Sequence, residues 1–123
     1  MSEMNQALTD LLNKMNALYA ERDWDQFHSP KNLAMNLGVE VGEVMEHFRW
    51  ITEQQSFIKD PKALAGVREE IGDVFVVLLH LCDKLGIDPI QAGHENLEKV
   101  SRRYPSDKAK GSCAKYTHYE TSL

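Results

Sequence analysis

The sequence predicts an all-α protein built from four helices, which we expect to pack as a four-helix bundle. Three observations support this class. Apolar residues recur at helical spacing along most of the chain. Three candidate helix starts share one signal, a serine or aspartate directly followed by proline. No segment shows a convincing alternation of apolar and polar residues that would favour a strand.

These signals place the helices in order. The first shows an apolar stripe that includes Leu8, Leu12 and Met15. The next three begin at Ser29-Pro30, Asp60-Pro61 and Asp88-Pro89, and Gly86 supplies a stop after the third. The expected ranges are about 5–21, 30–53, 61–85 and 89–103. Residues 1–105 are thus predicted to form one helical domain, and the polar residues 106–123 an irregular, flexible tail.

One segment of the third helix, residues 74–82, is apolar on nearly every side. A helix of this kind is buried by several neighbours. Three other helices give limited cover, so the segment predicts a partner subunit. We therefore expect a homodimer or a homotetramer built as a dimer of dimers.

Composition limits the function. The chain has 123 residues and a formal net charge of -5, which suits one domain and argues against binding to nucleic acid. No apolar run approaches the roughly 20 residues of a membrane span. The N-terminal residues lack the basic and then apolar pattern of a signal peptide, so we expect a cytoplasmic protein with no membrane partner.

Two carboxylates on the predicted second helix are the first functional signal. Glu40 and Glu43 lie one turn apart, with His47 and Trp50 on the same predicted face, beside an apolar stripe. Like charges held close to a packed interior repel each other, and burial raises their pKa values. A cation removes this penalty, so the pair predicts half of a metal site.

The predicted third helix supplies a second pair, Glu70 and Asp73, at the same spacing. If the two helices pack antiparallel, four carboxylates converge. Four oxygen ligands suit a hard divalent ion, most naturally Mg²⁺, with Mn²⁺ as the alternative. Since Mg²⁺ commonly also binds phosphate oxygens, the site favours phosphoryl or nucleotidyl chemistry.

Other interpretations of these residues remain open. A Glu-x-x-Glu pair on a helix is common and usually belongs to a solvated face. A di-iron site is disfavoured because His80 has no carboxylate three residues before it and His47 follows Glu43 by four. His28, His94 and His118 are interpreted most simply as loop or surface residues.

The two acidic pairs resemble the metal-binding motif of the MazG-like nucleotide pyrophosphohydrolases, and the chain is most similar to the dCTP pyrophosphatase branch. The similarity covers nearly the whole chain. It rests on an ordered set of segments, ERDWDQFH (21–28), PKNL (30–33), GVEVGE (38–43), FRW (48–50), EEIGD (69–73), RRYP (102–105) and KYT (115–117).

This resemblance implies a Mg²⁺-dependent enzyme that cleaves a nucleoside triphosphate between the α and β phosphates, releasing the monophosphate and pyrophosphate. It implies that the four acids hold the metal and activate water, and that Trp24 and Trp50 flank the base. Stacking on an aromatic ring contributes ~1–3 kcal/mol per base. The remaining substrate-binding residues implied by the matching segments are Lys31, Asn32, Arg102, Arg103, Lys115 and Tyr116.

The chain departs from the family pattern at four positions. Asn96 and Val100 stand where many relatives carry a lysine and an asparagine, while Met15 and Val77 replace a histidine and a tyrosine of the dCTP branch. The preferred base is therefore open between dCTP, a modified dCTP and another nucleotide such as dUTP or phosphoribosyl-ATP. Outside enzymes, a non-catalytic helical interaction module and a metal carrier or sensor are the alternatives.

Overall fold

The computed structural model describes residues 5–119, and the remaining residues at each end lie outside the described part. Within residues 5–119 there is no strand, so the all-α class is confirmed. The four long helices are also confirmed. Their bounds are α1 Gln6–Glu21, α2 Pro30–Glu46, α3 Pro61–Leu85 and α4 Pro89–Arg103.

The helix starts are fixed by side-chain caps at the predicted residues. Ser29 Oγ accepts a hydrogen bond from the Asn32 backbone N–H at the start of α2, and Asp60 caps α3 by accepting from Ala63 N–H. Asp88 does the same for α4. Each cap satisfies a backbone donor that has no partner inside the helix. At the other end of α3, Gly86 has a φ of 67°, a left-handed conformation that glycine adopts without steric penalty.

The expected end of the second helix near Glu53 is wrong, because α2 ends at Glu46. After it the backbone tightens, and the His47 and Phe48 N–H groups bond to carbonyls three residues back. Thr52 and Gln55 then cap each other reciprocally, each accepting from the other's backbone N–H. This local pairing starts a 3-10 turn at Gln54–Ser56 and competes with continued helix.

The chain divides into two compact units, one ending at Ile87 and the other beginning at Asp88. In the first unit, α1 packs against α3 and α2 pairs with α3. The core of the α1–α3 contact is formed by buried apolar side chains, which are Leu8, Leu12, Met15 and Leu79. The predicted apolar stripe of the first helix is therefore the face that is buried.

The second unit contains α4, a short helix α5 at Ser106–Ala109 and a 3-10 turn at Tyr116–Tyr119. The Arg103 guanidinium lies 4.4 Å from the centre of the Tyr116 ring, a cation–π distance. Tyr104 lies 6.1 Å from Tyr116 and 6.0 Å from Tyr119. The predicted irregular tail thus contains helical turns as far as residue 119, while residues 120–123 lie outside the described part. The proposed boundary between residues 105 and 106 stays a prediction.

Among residues 5–119, no helix is both long enough and apolar enough to cross a membrane.

Candidate metal centre

Four carboxylates meet between α2 and α3. Glu40 and Glu43 come from α2, and Glu70 and Asp73 from α3. One oxygen from each residue lies within 4.8 Å of the corresponding oxygens of the other three. The spacing of three residues places each pair on one face of its helix, and the pairing of α2 with α3 brings the faces together. The four acids therefore form a group that could hold a metal ion.

Two oxygens in this acid cluster, defined as Glu40, Glu43, Glu70 and Asp73, are buried without a hydrogen-bond partner. They are Glu40 Oε2 and Glu70 Oε2. A buried acceptor without a donor carries a desolvation penalty. A hard cation bound to oxygen ligands would remove that penalty, so the donor set and its orphaned atoms fit a divalent metal.

The electrostatics of the cluster lead to the same conclusion. Burial, followed by the negative charges of Glu43 and Asp73, raises the pKa of Glu40. A hydrogen bond with Glu43, followed by burial, raises the pKa of Glu70, and His47 partly opposes this rise. Without a cation these two carboxyls therefore bind a proton more readily than a free glutamate does.

His47 lies at the edge of the acid cluster, with its Nε2 atom 3.9 Å from Glu70 Oε1. Its ring packs closely against Gly66, where an added Cβ would stand 3.0 Å from His47 Cε1. His47 contacts Gly66, and Glu43, four residues earlier, contacts Glu70, four residues later. The two helices therefore run antiparallel, as expected. The glycine thus leaves the space that the imidazole occupies.

A cleft of about 730 Å³ opens beside His47. Its walls come from the connector that follows α2 and from the first turn of α3. Apolar side chains, including Ile51, Phe57 and Ile58, line much of it, and Gln54 and Lys59 add polar groups. Since His47 also lies next to Glu70, this cleft is adjacent to the acid cluster.

The two tryptophans lie on connectors. Trp24 is 44% exposed and its ring lies 6.1 Å from Tyr19, with the Arg22 guanidinium 5.7 Å from the indole. Trp50 is 83% exposed and lies under the Arg49 guanidinium at 4.6 Å. Because α2 ends at Glu46, the expectation that Trp50 continues the helical face of the acids is wrong.

The other predicted substrate-binding residues fall in two places. Lys31 is exposed at the start of α2, and the Asn32 side chain donates to the Phe27 carbonyl at 2.9 Å. This bond gives Asn32 a local structural role in addition to the predicted one. The others belong to the second unit, where the Arg103–Tyr116 contact lies, and they are Arg102, Arg103, Lys115 and Tyr116. Substrate binding by these six residues stays a prediction.

A second group of titratable side chains was missed by the sequence interpretation. His28, expected to be a simple loop residue, is half-buried against the rings of Tyr19 and His80. His80 itself is 2% exposed. The only sequence signal was a histidine inside the apolar run of α3, which does not identify its partners.

The sequence profile of the MazG-like family matches residues 35–118. The chain belongs to the MazG-like family.

Curated relatives of this MazG-like chain include two mammalian proteins. It is 41% identical over 100 residues to mouse dCTP pyrophosphatase 1 and 39% identical over 100 residues to the human protein of that name. Each match covers 80% of this chain and 59% of the relative. The chain thus spans about three fifths of the length of the curated relatives it matches.

A solved structure of a pyrophosphatase has a similar fold. The crystal structure of a pyrophosphatase from Archaeoglobus fulgidus DSM 4304 superposes with a TM-score of 0.77 at 36% identity. The match covers 84% of this chain and 96% of that one. The predicted MazG-like fold and the resemblance to dCTP pyrophosphatases are therefore confirmed.

Proposed function

We propose that this MazG-like protein is a metal-dependent nucleoside triphosphate pyrophosphatase. It would hydrolyse a (d)NTP, with dCTP or a modified dCTP as first choice, to the monophosphate and pyrophosphate. The observation that carries the proposal is the acid cluster, with four carboxylates within 4.8 Å and two buried oxygens without donors. Such a site is costly to a fold that does not bind a cation there.

The metal assigned to this site is Mg²⁺, with Mn²⁺ as the second choice, held by Glu40, Glu43, Glu70 and Asp73. All four donors are carboxylate oxygens, which suit hard ions. When bound, the ion would neutralise charge on phosphate oxygens and lower the pKa of a coordinated water. The four acids would position the ion, and any carboxylate oxygen left free would accept a proton from the attacking water.

The substrate class follows from the surroundings of the acid cluster and from the relatives. The cleft beside His47 has room for the nucleoside part of a nucleotide. Trp24 and Trp50 are exposed enough to stack on a base. The preference for cytosine rests on the two relatives named dCTP pyrophosphatase 1. The candidates for binding the outer phosphates are Lys31, Arg102, Arg103 and Lys115.

The four departures from the family pattern affect base recognition rather than the metal site. Met15 is 5% exposed and packs in the α1–α3 core of the first unit, so within one chain it is a core side chain. Val77 is half-buried on α3, and Asn96 and Val100 are exposed on α4. We therefore expect these departures to change the base preference and to leave the metal requirement unaltered.

The assembly is proposed to be a homodimer or a homotetramer in the cytoplasm. Its support is the set of apolar side chains on α3 that remain at least 39% exposed in the single chain. These are Leu64, Ile71, Phe75, Leu78 and Leu85. Self-association would bury such side chains.

The test is pyrophosphate release from a panel of nucleoside triphosphates, including dCTP, 5-methyl-dCTP, dUTP and dTTP, with Mg²⁺ or with EDTA. We expect metal-dependent release of pyrophosphate and no orthophosphate, fastest with a cytosine nucleotide. Metal-dependent release with another base keeps the reaction and changes the substrate. No release from folded protein by any member contradicts the proposal and favours a non-catalytic helical module.

A further inference from the structure

Three aromatic side chains from different elements meet on the α1 side of α3. Tyr19 comes from α1, His28 from the end of the connector between α1 and α2, and His80 from α3. The Tyr19 ring stacks on His80 at 5.0 Å and meets His28 edge-on at 4.8 Å. The two imidazoles are perpendicular, 4.7 Å apart. We call these three residues the ring cluster.

Each imidazole of the ring cluster has one buried nitrogen without a hydrogen-bond partner. His80 is 2% exposed, and its Nε2 atom and His28 Nδ1 are buried without a hydrogen-bond partner. A neutral nitrogen in this position loses one hydrogen bond. A protonated one would place a charge and an unsatisfied N–H among aromatic carbon atoms, which costs considerably more.

The charged groups around His80 do not offset that cost. Asp25, on the connector, already pairs with Lys84 of α3, and Asp83 accepts a hydrogen bond from Asn16 of α1 at 3.4 Å. Burial is the main cause that lowers the pKa of His80, and His28 and Lys84 lower it further. Asp25 and Asp83 raise it more weakly. From α1, Tyr19 faces His80 with an uncharged ring.

The ring cluster also fixes the connector that carries Trp24. The Trp24 backbone N–H donates to the Tyr19 carbonyl at 3.0 Å, and the Trp24 ring lies 6.1 Å from the Tyr19 ring. His28 follows the 3-10 turn Asp25–Phe27 and bonds back to it through its own N–H. The side chains of Trp24 and Phe27 are 44% and 60% exposed. The His28–His80 contact and the exposed Asp25–Lys84 pair thus attach the connector to α3.

We propose that the ring cluster is a proton-sensitive anchor that positions Trp24. The connector is docked while both imidazoles are neutral, and protonation of either one releases it. His28 and His80 are positioning residues, since neither is assigned a contact with substrate. The consequence for nucleotide binding rests on the proposed function, through the role given there to Trp24. The docking itself does not depend on that role.

The test uses the full-length chain without nucleotide. A Trp50→Phe substitution leaves Trp24 as the single tryptophan, and its fluorescence and acrylamide quenching are followed between pH 8 and pH 5. We expect a red shift and a loss of protection from acrylamide on acidification, while far-UV circular dichroism stays unchanged. The midpoint should coincide with the His80 or His28 titration measured by NMR, and a His80 midpoint is expected below 6.5.

Matched variants in the same background identify the groups responsible. His80→Phe keeps an aromatic ring and removes the proton site, so the pH transition of Trp24 should weaken or vanish. His28→Phe, at a half-buried connector position, is the second variant if His80→Phe does not fold. His94→Gln, on the exposed surface of α4, and Glu40→Gln, in the acid cluster, should both leave the transition in place.

The proposal is overturned if Trp24 emission and quenching are independent of pH. It is also overturned if the transition keeps its midpoint and its amplitude in both folded histidine variants. Because no nucleotide is present, these results are separate from turnover. If the chain shows the transition but has no pyrophosphatase activity, the anchor is supported and the proposed function is contradicted. If the chain is active but shows no transition, the proposed function is supported and the anchor is contradicted.

Discussion

The acid cluster and the ring cluster both lie against α3, and both place titratable groups where burial disfavours charge. They differ in what happens to that charge. In the acid cluster burial helps to raise carboxyl pKa values, and four negative groups remain within 4.8 Å of one another. In the ring cluster burial lowers the pKa of His80, and the neutral imidazole pairs with other rings. The acid cluster is therefore suited to bind a cation, while the packing of the ring cluster is stable only when its imidazoles are neutral.

The largest expected effect comes from removing a charge of the acid cluster. Glu43→Gln or Asp73→Asn should reduce pyrophosphate release more than about 100-fold, since even groups that only support a metal ligand contribute 10–100-fold. Circular dichroism should show unchanged helix content. Glu46→Gln is the matched control, because Glu46 is an exposed acid on α2 that pairs with Arg49. Retained activity in both acid variants would mean that the metal centre is misassigned.

The next effect distinguishes the two clusters by metal binding. Mg²⁺ at ~100 times its dissociation constant should stabilise the folded chain by about 2.7 kcal/mol, which raises the melting temperature by roughly ten degrees. Glu43→Gln should remove this rise, whereas His80→Phe should keep it. Without metal, Glu40→Gln should not lower the melting temperature, because it relieves repulsion between like charges. A large drop would contradict this account of the cluster.

The two clusters should also respond oppositely to pH in the metal-free chain. The folded-state pKa values of Glu40 and Glu70 lie above their usual 4.5, so stability falls as pH rises from 4.5 through those values. The folded-state pKa of His80 lies below 6.5. Its contribution to the free energy of unfolding is therefore fully present above pH 6.5 and is lost as pH decreases below that value. In melting temperatures measured between pH 4 and pH 8, Glu40→Gln should weaken the first slope, to which Glu70 still contributes, and His80→Phe should remove the second.

The smallest expected effect concerns Gly66. A Gly66→Ala methyl would lie 3.0 Å from His47 Cε1, so the imidazole must move away from the helix. We expect activity to fall several-fold with a small change in melting temperature, because alanine favours helix and offsets part of the displacement. Gly72→Ala, also on α3 with nothing within 4 Å of the added methyl, is the control. Equal activity of the two variants would show that the position of His47 is unimportant.

The same contrast explains what the sequence could predict. The acid cluster comes from pairs of residues three apart on two long helices, and this periodicity is visible in the sequence together with the helix caps at Ser29 and Asp60. The ring cluster combines one residue each from α1, a connector and α3. Tertiary packing alone brings these together, so no local pattern marks them.

The end of α2 was mispredicted for a different reason. Residues 47–53 continue an apolar spacing, and that spacing suggested more helix. The chain instead leaves α2 through the tighter backbone bonds of His47 and Phe48, and Thr52 and Gln55 then cap each other. Their Thr-x-x-Gln spacing is a recognisable capping signal, and because α2 ends at Glu46, Trp50 does not continue the helical face of the acids.

The side-chain caps at Ser29, Asp60 and Asp88, each followed by proline, have a consequence for the speed of folding. A helix whose first turn is specified by adjacent residues starts without waiting for distant contacts. Chains dominated by such local contacts fold in microseconds to milliseconds. The acid cluster, which needs only α2 and α3 with one connector between them, should consequently assemble early. Stopped-flow refolding of Ser29→Ala and Asp60→Ala chains should be slower than that of the parent if this order holds.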